Sequence, residues 1–278
     1  MPLTRIILLT ALSLLAFASN SLLCRIALKQ TDIDPASFTS IRLIAGAIVL
    51  WAVANLKKRK QAGQGNWLSA LALFAYAAAF SFAYVKLPAG TGALILFGAV
   101  QATMIGYGLW KGEKLRFLQW LGLILALIGL VGLVLPGLAA PPLGSAFLMC
   151  VAGATWGVYS LRGRGAGDPT VVSAGNFLRA APMAMVLSLL LYKQVELDPA
   201  GVVYALVSGG ITSGLGYIFW YTVLPSLKTS NAATLQLSVP VIAALGGIVF
   251  LGEPLSLRLI LASVAILGGI GLVVLKRP

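Results

Sequence analysis

Histidine is absent from the 278 residues, and acidic residues number only seven. The first absence removes the commonest metal ligand and the commonest general base near neutral pH. The two cysteines, Cys24 and Cys150, lie inside apolar runs and are too few for a disulfide framework. Charge of either sign is scarce, at 10% of the chain against about 25% in an ordinary globular domain. A water-soluble fold needs a charged exterior, and this chain cannot supply one. Without histidines or a mid-span acid pair, the sequence offers no hydrolase machinery. No cofactor and no metal is expected, and the chain does not read as an enzyme.

What is present is apolar. Hydrophobic residues make up 59% of the chain, and the mean hydropathy is +0.97. Crossing a bilayer takes about 20 apolar residues in a helix, and runs of that length favour helices over a barrel. Ten spans are predicted, at about 6–28, 36–56, 67–86, 89–110, 116–135, 143–161, 170–192, 200–223, 229–251 and 257–275. The N-terminus imitates a secretory signal, with Arg5, an apolar run and Ala16-Phe17-Ala18. The run continues to Leu28, however, and reads as the first span.

Twenty bases give a net charge of +13, which in a soluble protein would suggest nucleic acid. In a membrane protein such bases mark cytoplasmic loops instead. With a cytoplasmic N-terminus, the inner side collects Arg5, the run Lys57 to Lys60, Lys111, Lys114, Arg116, Arg162, Arg164, Lys228, Lys276 and Arg277. The outer side keeps Arg25, Lys29, Lys86, Lys193 and Arg258. Both termini are therefore expected in the cytoplasm, and the protein in a bacterial inner membrane. The expected partners are lipid and a small-molecule substrate, with no nucleic acid. A monomer is expected, with a dimer left open.

The stretch Leu87 to Leu135 has an echo at Leu227 to Leu275. Each is an apolar run, a Gly-Glu turn (Gly112-Glu113 and Gly252-Glu253) and a second apolar run. This suggests a duplication into residues 1–138 and 139–278. Five crossings per unit is an odd number, so the second unit is inverted. The first turn carries Lys111, Lys114 and Arg116, where the second has Leu251, Pro254 and Ser256. The expected fold class is all-α integral membrane, with ten transmembrane helices as two inverted five-helix repeats around a central cavity. Such repeats belong to alternating-access transporters.

Particular motifs then carry a resemblance. They are Asn231-Ala232-Ala233, Pro240-Val241-Ile242-Ala243-Ala244-Leu245, Leu251-Gly252-Glu253-Pro254-Leu255 and Trp156-Gly157-Val158-Tyr159. The first half keeps Gly112-Glu113-Lys114-Leu115 but has Val100 where the family often has proline. The chain resembles the EamA type of the drug/metabolite transporter superfamily, and within it the bacterial amino-acid exporters of the YddG kind. The resemblance implies export of neutral and aromatic amino acids: Phe, Tyr and Trp, with Thr and Met as further candidates. It also implies that spans 1, 3, 4, 6, 8 and 9 line the cavity and that spans 5 and 10 are peripheral. Proton-coupled relatives typically embed a glutamate in the first helix. Phe17-Ala18-Ser19-Asn20 has none here, so facilitative export is expected.

Polar and aromatic groups within the spans are the site candidates. For substrate binding they are Asn20, Tyr76, Phe80, Phe97, Gln101, Trp156, Tyr159, Tyr217, Trp220 and Gln236. Tyr76, Phe80 and Tyr84 form a stripe at spacing four. Helix packing or an interfacial belt is the alternative reading of each aromatic. Arg42 and Arg179 read as gating or structural residues, and Pro240 as a kink beside the cavity. Glycines crowd the fourth and eighth spans, where small residues let helices approach closely. Exporters of drugs or organic cations remain an alternative. A sugar-phosphate or nucleotide-sugar exchanger ranks lower, because the two embedded arginines stand on different halves.

Overall fold

A computed structural model describes residues 2–56, 64–112, 114–135, 140–163, 166–223, 226–227 and 235–275. The basic run at 57–60, Glu113, Arg164, Lys228, the motif at 231–233, Lys276 and Arg277 lie outside these residues. Among the described residues there is no strand. Seven helices come first: α1 Leu3–Gln30, α2 Pro35–Leu56, α3 Trp67–Tyr84, α4 Ala89–Trp110, α5 Phe117–Val134, α6 Leu143–Gly163 and α7 Pro169–Leu190. A 3₁₀ turn at Tyr192–Gln194 leads to α8 Pro199–Val223, α9 Ser238–Leu251 and α10 Leu257–Leu275. The first eight are long and apolar enough to cross a membrane. The protein is an all-helical, multi-pass membrane protein.

The few acids are spent on helix starts. Asp34 accepts from the backbone N–H groups of Ala36 and Ser37, both at 2.9 Å. Asp168 accepts from Thr170 at 2.9 Å and Val171 at 3.3 Å, and Asp198 from Gly201 at 2.8 Å. Each is followed by a proline at the first helical position, where the missing N–H costs nothing. Asn66 caps α3 in the same way. Such caps stabilise a helix by about 1 kcal/mol each. At the other ends, Gly112 (φ 89°) and Gly252 (φ 61°) close α4 and α9 in the left-handed region that glycine adopts cheaply. The repeated Gly-Glu turn is thus a repeated backbone stop.

Packing obeys an exchange of halves. Helix α3 packs on α6 and α7, as α8 packs on α1 and α2. Helix α4 packs on α6, as α9 packs on α1. The pairs α2–α7, α4–α9 and α5–α10 map onto themselves. The α5–α10 pair stands at the edge and touches little else, joined by Gln119 Nε2 donating to the Val273 carbonyl at 2.9 Å. Phe117, Trp120, Ile128, Leu261 and Val264 point outward from it, fully in keeping with lipid. The interior lies where α1, α3, α6 and α8 meet.

The ninth span is broken just ahead of Pro240. Residues 235–236 are helical, Leu237 is a turn in right-handed helical geometry, and α9 runs on from Ser238. A proline lacks the N–H that would bond the carbonyl four residues back, here that of Gln236, and a break at that point is what a proline imposes on a helix.

Candidate functional site

A connected set of rings fills the crossing. Trp156 of α6 lies 4.9 Å from Tyr76 of α3 and 5.0 Å from Tyr217 of α8, centroid to centroid. The α3 stripe forms as the spacing predicts, with Tyr76–Phe80 at 5.4 Å and Phe80–Tyr84 at 4.7 Å. Tyr159 lies tilted against Trp156 at 5.4 Å. Phe17 of α1 meets Tyr217 at 6.1 Å and Trp220 at 6.0 Å, both edge-on. Aromatic pairs in this range stabilise by about 0.5–1.5 kcal/mol beyond burial.

These rings enclose a cavity lined by Phe17, Asn20, Ser21, Tyr76, Phe80, Leu96, Phe97, Trp156, Thr212 and Tyr217. A water's centre has about 20 Å³ to move in, roughly the space of one molecule. That space is too small for a ligand of amino-acid size, which requires the walls to part.

A polar chain runs along one wall. Ser208 donates to Asn20 Oδ1 at 2.7 Å, and Thr212 reaches the same oxygen at 3.3 Å. Asn20 Nδ2 donates to the Tyr76 hydroxyl at 3.4 Å. Arg42 Nη2 donates to that hydroxyl at 3.1 Å, and Arg42 Nε to Ser213 at 3.3 Å. The guanidinium also lies 5.2 Å from the Tyr76 ring centre and 5.0 Å from that of Phe80. Ser208–Leu215 of α8 is wound as a π-helix, a distortion found often at functional sites. Gly209 within it presses on the Arg42 backbone, where any Cβ would collide with the carbonyl.

Both ends of the bundle are tied. At one end Arg25 Nη1 donates to the Tyr84 and Val85 carbonyls, both at 2.8 Å, and its Nε to Glu253 Oε1 at 3.3 Å. The other Glu253 oxygen accepts from the Ala89 N–H at 2.7 Å. One ion pair thus joins α1, α3, α4 and the end of α9. At the opposite end Arg162 donates to Ser69 and Asn66, both at 3.1 Å, and the Asn66 N–H donates to Asn176 at 2.9 Å. Those bonds hold α6 and α7 to the start of α3.

Of the ten substrate-binding candidates, Asn20, Tyr76, Phe80, Phe97, Trp156 and Tyr217 come together at the cavity. Tyr159 and Trp220 back it through ring contacts. Gln101 and Gln236 do not join them. Gln101 faces a small void against α5 and α10, and Gln236 lies half-buried ahead of α9. Arg179 donates to the Gly175 carbonyl of its own helix at 2.9 Å and lies 5.9 Å from Trp67, at a bundle end rather than the cavity. Sequence reasoning passed over Phe17, Ser208 and Thr212. Phe17 and Asn20 stand three apart, and Ser208 and Thr212 four apart, so each pair shares a helix face. Arg25 reads as an outer-side base at the end of the first span and Glu253 as a turn residue; both are buried. Among the described residues no His/Cys/Asp/Glu cluster could hold a metal.

Comparison with known proteins agrees with this architecture. The model of the EamA-like transporter family matches residues 4–135 and again 143–275. An uncharacterised protein of Pseudomonas aeruginosa is 56% identical over 100% of this chain and 97% of its own. The uncharacterised transporter YoaV of Bacillus subtilis is 23% identical over 86% of this chain and 87% of its own. The threonine/homoserine exporter RhtA of Salmonella typhimurium is 32% identical over 160 residues, 55% of this chain and 53% of its own. A solved crystal structure superposes with a TM-score of 0.71 at 20% identity over 96% of both chains, a likeness of fold.

Proposed function

The chain belongs to the EamA-like transporter family, and from that premise we propose that it exports neutral and aromatic amino acids. Phe, Tyr and Trp fit best, with Thr and Met as further substrates. The observation that carries the reading is the narrow cavity of aromatic faces with an amide and hydroxyls on one wall. Rings suit an apolar body, and a few placed polar groups fix orientation. The relative named as a threonine/homoserine exporter supports the amino-acid class. The sequence resemblance to exporters of the YddG kind supports the aromatic members.

Transport proceeds by alternating access, with residues 1–138 and 139–278 rocking about the cavity. The ties at Arg25–Glu253 and at Arg162–Asn66 open in turn. Charge asymmetry between the two sides supports cytoplasmic termini in a bacterial inner membrane. Every acid among the described residues lies outside the helices, and the buried one, Glu253, is held by Arg25 and the Ala89 N–H, which supports export along the substrate gradient rather than by proton exchange.

The organic-cation reading is disfavoured by Arg42, a cation beside the cavity that no acid among the described residues pairs with. The sugar-phosphate reading needs clustered bases, and Arg179 stands apart on Trp67. The test is counterflow in proteoliposomes with a panel of amino acids, sugar phosphates and quaternary cations. Saturable amino-acid flux is expected. Robust cation flux without amino-acid flux would replace this reading with drug export.

A further inference from the structure

Arg42 poses a problem of charge. It is 1% exposed, one of the largest fully buried side chains of the protein. Burying a guanidinium is costly unless it is paired and hydrogen-bonded, and an uncompensated one is strongly destabilising. The only ion pair among the described residues joins Arg25 to Glu253, so no carboxylate of these residues meets Arg42. Two of its three nitrogens are held, Nε by Ser213 and Nη2 by Tyr76. Nη1 has no hydrogen-bond partner at all. The rings of Tyr76 and Phe80 offset part of the deficit as cation–π partners. They are cavity walls, and the charge lies directly behind them.

Tyr76 adds a second donor. Its oxygen accepts from both Asn20 and Arg42, which leaves its own hydroxyl hydrogen unused by either bond. An unpartnered guanidinium N–H and a phenolic O–H therefore stand side by side next to the cavity. Two convergent donors, one of them charged, fit the two oxygens of a carboxylate.

We infer that Arg42, with Tyr76, is the anchor for the carboxylate of the transported molecule. The missing counter-charge is the substrate itself. This rests on the amino-acid reading above and narrows it: the cavity selects for a carboxylate and demands nothing of the ammonium group. When the Tyr76–Phe80 wall shifts, the anion takes Nη1 and the Tyr76 hydroxyl while the apolar body stacks on Trp156. A ligand with the same ring and no carboxylate leaves the cation unpaired and binds poorly. The charge that repels organic cations also favours any compact apolar carboxylate.

The experiment uses the purified full-length protein in proteoliposomes, with phenylalanine counterflow competed by phenethylamine and by 3-phenylpropionate. The first analogue lacks the carboxylate and the second lacks the ammonium group. In the wild type, 3-phenylpropionate is expected to compete within a few-fold of phenylalanine, and phenethylamine about tenfold or more weakly, the usual scale for losing a charged hydrogen bond. Arg42→Gln is expected to erase that discrimination, and Arg42→Lys to retain part of it. The wild-type series needs no variant, so a misfolded Arg42→Gln leaves the test intact. Equal competition by phenethylamine and phenylalanine in the wild type would overturn the inference. An inhibitor constant for 3-phenylpropionate unchanged in folded Arg42→Gln would do the same. Arg42-dependent binding of 3-phenylpropionate without phenylalanine transport would leave the anchor standing and remove the amino-acid reading.

Discussion

Replacing Glu253 by glutamine tests whether the bonds at the Arg25 end form a gate. The carboxylate is 8% exposed and holds two helices, taking the Arg25 guanidinium on one oxygen and the Ala89 N–H on the other. Glutamine keeps one acceptor, which satisfies Ala89, but turns its NH₂ towards the Arg25 donor. The loss is one charge-assisted hydrogen bond, about 1.5–3 kcal/mol. It stays below the 3–5 kcal/mol typical of a fully orphaned buried charge, because Arg25 keeps the Tyr84 and Val85 carbonyls. If the bond exists only while this end is closed, the closed-to-open ratio falls by about 10- to 150-fold. Ser21, a cavity-lining residue of α1, supplies the reporter. Ser21→Cys in a background carrying Cys24→Ala and Cys150→Ala is alkylated with a membrane-impermeant maleimide from the Arg25 side. The rate is expected to rise at least about tenfold in Glu253→Gln. Glu196→Gln, at an exposed loop acid, is expected to leave it unchanged. An unchanged rate in folded Glu253→Gln, whatever happens to thermal stability, would make the pair mere packing.

Gly209→Ala places a methyl against the Arg42 carbonyl and is expected to lower the melting temperature of the detergent-purified protein. The overpacking cost is about 1–3 kcal/mol. Gly268→Ala, which meets open space, is the control, and equal effects would contradict the packing. Amino-acid counterflow is expected to continue after an ionophore collapses the pH gradient, since the described acids all lie outside the helices. Flux that stops with the gradient would show an obligatory proton.

The sequence made the helix count and most helix bounds legible, because hydrocarbon and backbone chemistry dictate them locally. Asp34-Pro35, Asp168-Pro169 and Asp198-Pro199 each pair a cap with a residue well suited to the first helical position, and all three begin a helix. The α3 stripe followed from periodicity alone. What failed needed distance information. Arg25 and Glu253 are 228 positions apart, and nothing local marks them as partners. Gln101 stands four residues after Phe97, and four residues advance about 40° past one turn; Phe97 lines the cavity, whereas Gln101 lines the void on the α5–α10 side. The π-helix of α8 lay hidden in Gly209, Gly210 and Gly214, which mark close approach without saying how the backbone winds.

The proposed position of the substrate is against Trp156 in the cavity. The direct measurement is the initial rate of phenylalanine counterflow for Trp156→Ala beside Trp110→Ala, a tryptophan 77% exposed at the end of α4. Removing a buried aromatic that stacks on its ligand costs about 2 kcal/mol or more, so transport efficiency is expected to fall at least about 30-fold. Trp110→Ala is expected to match the wild type. Equal efficiencies in folded, reconstituted Trp156→Ala and Trp110→Ala would place the site elsewhere and contradict the account.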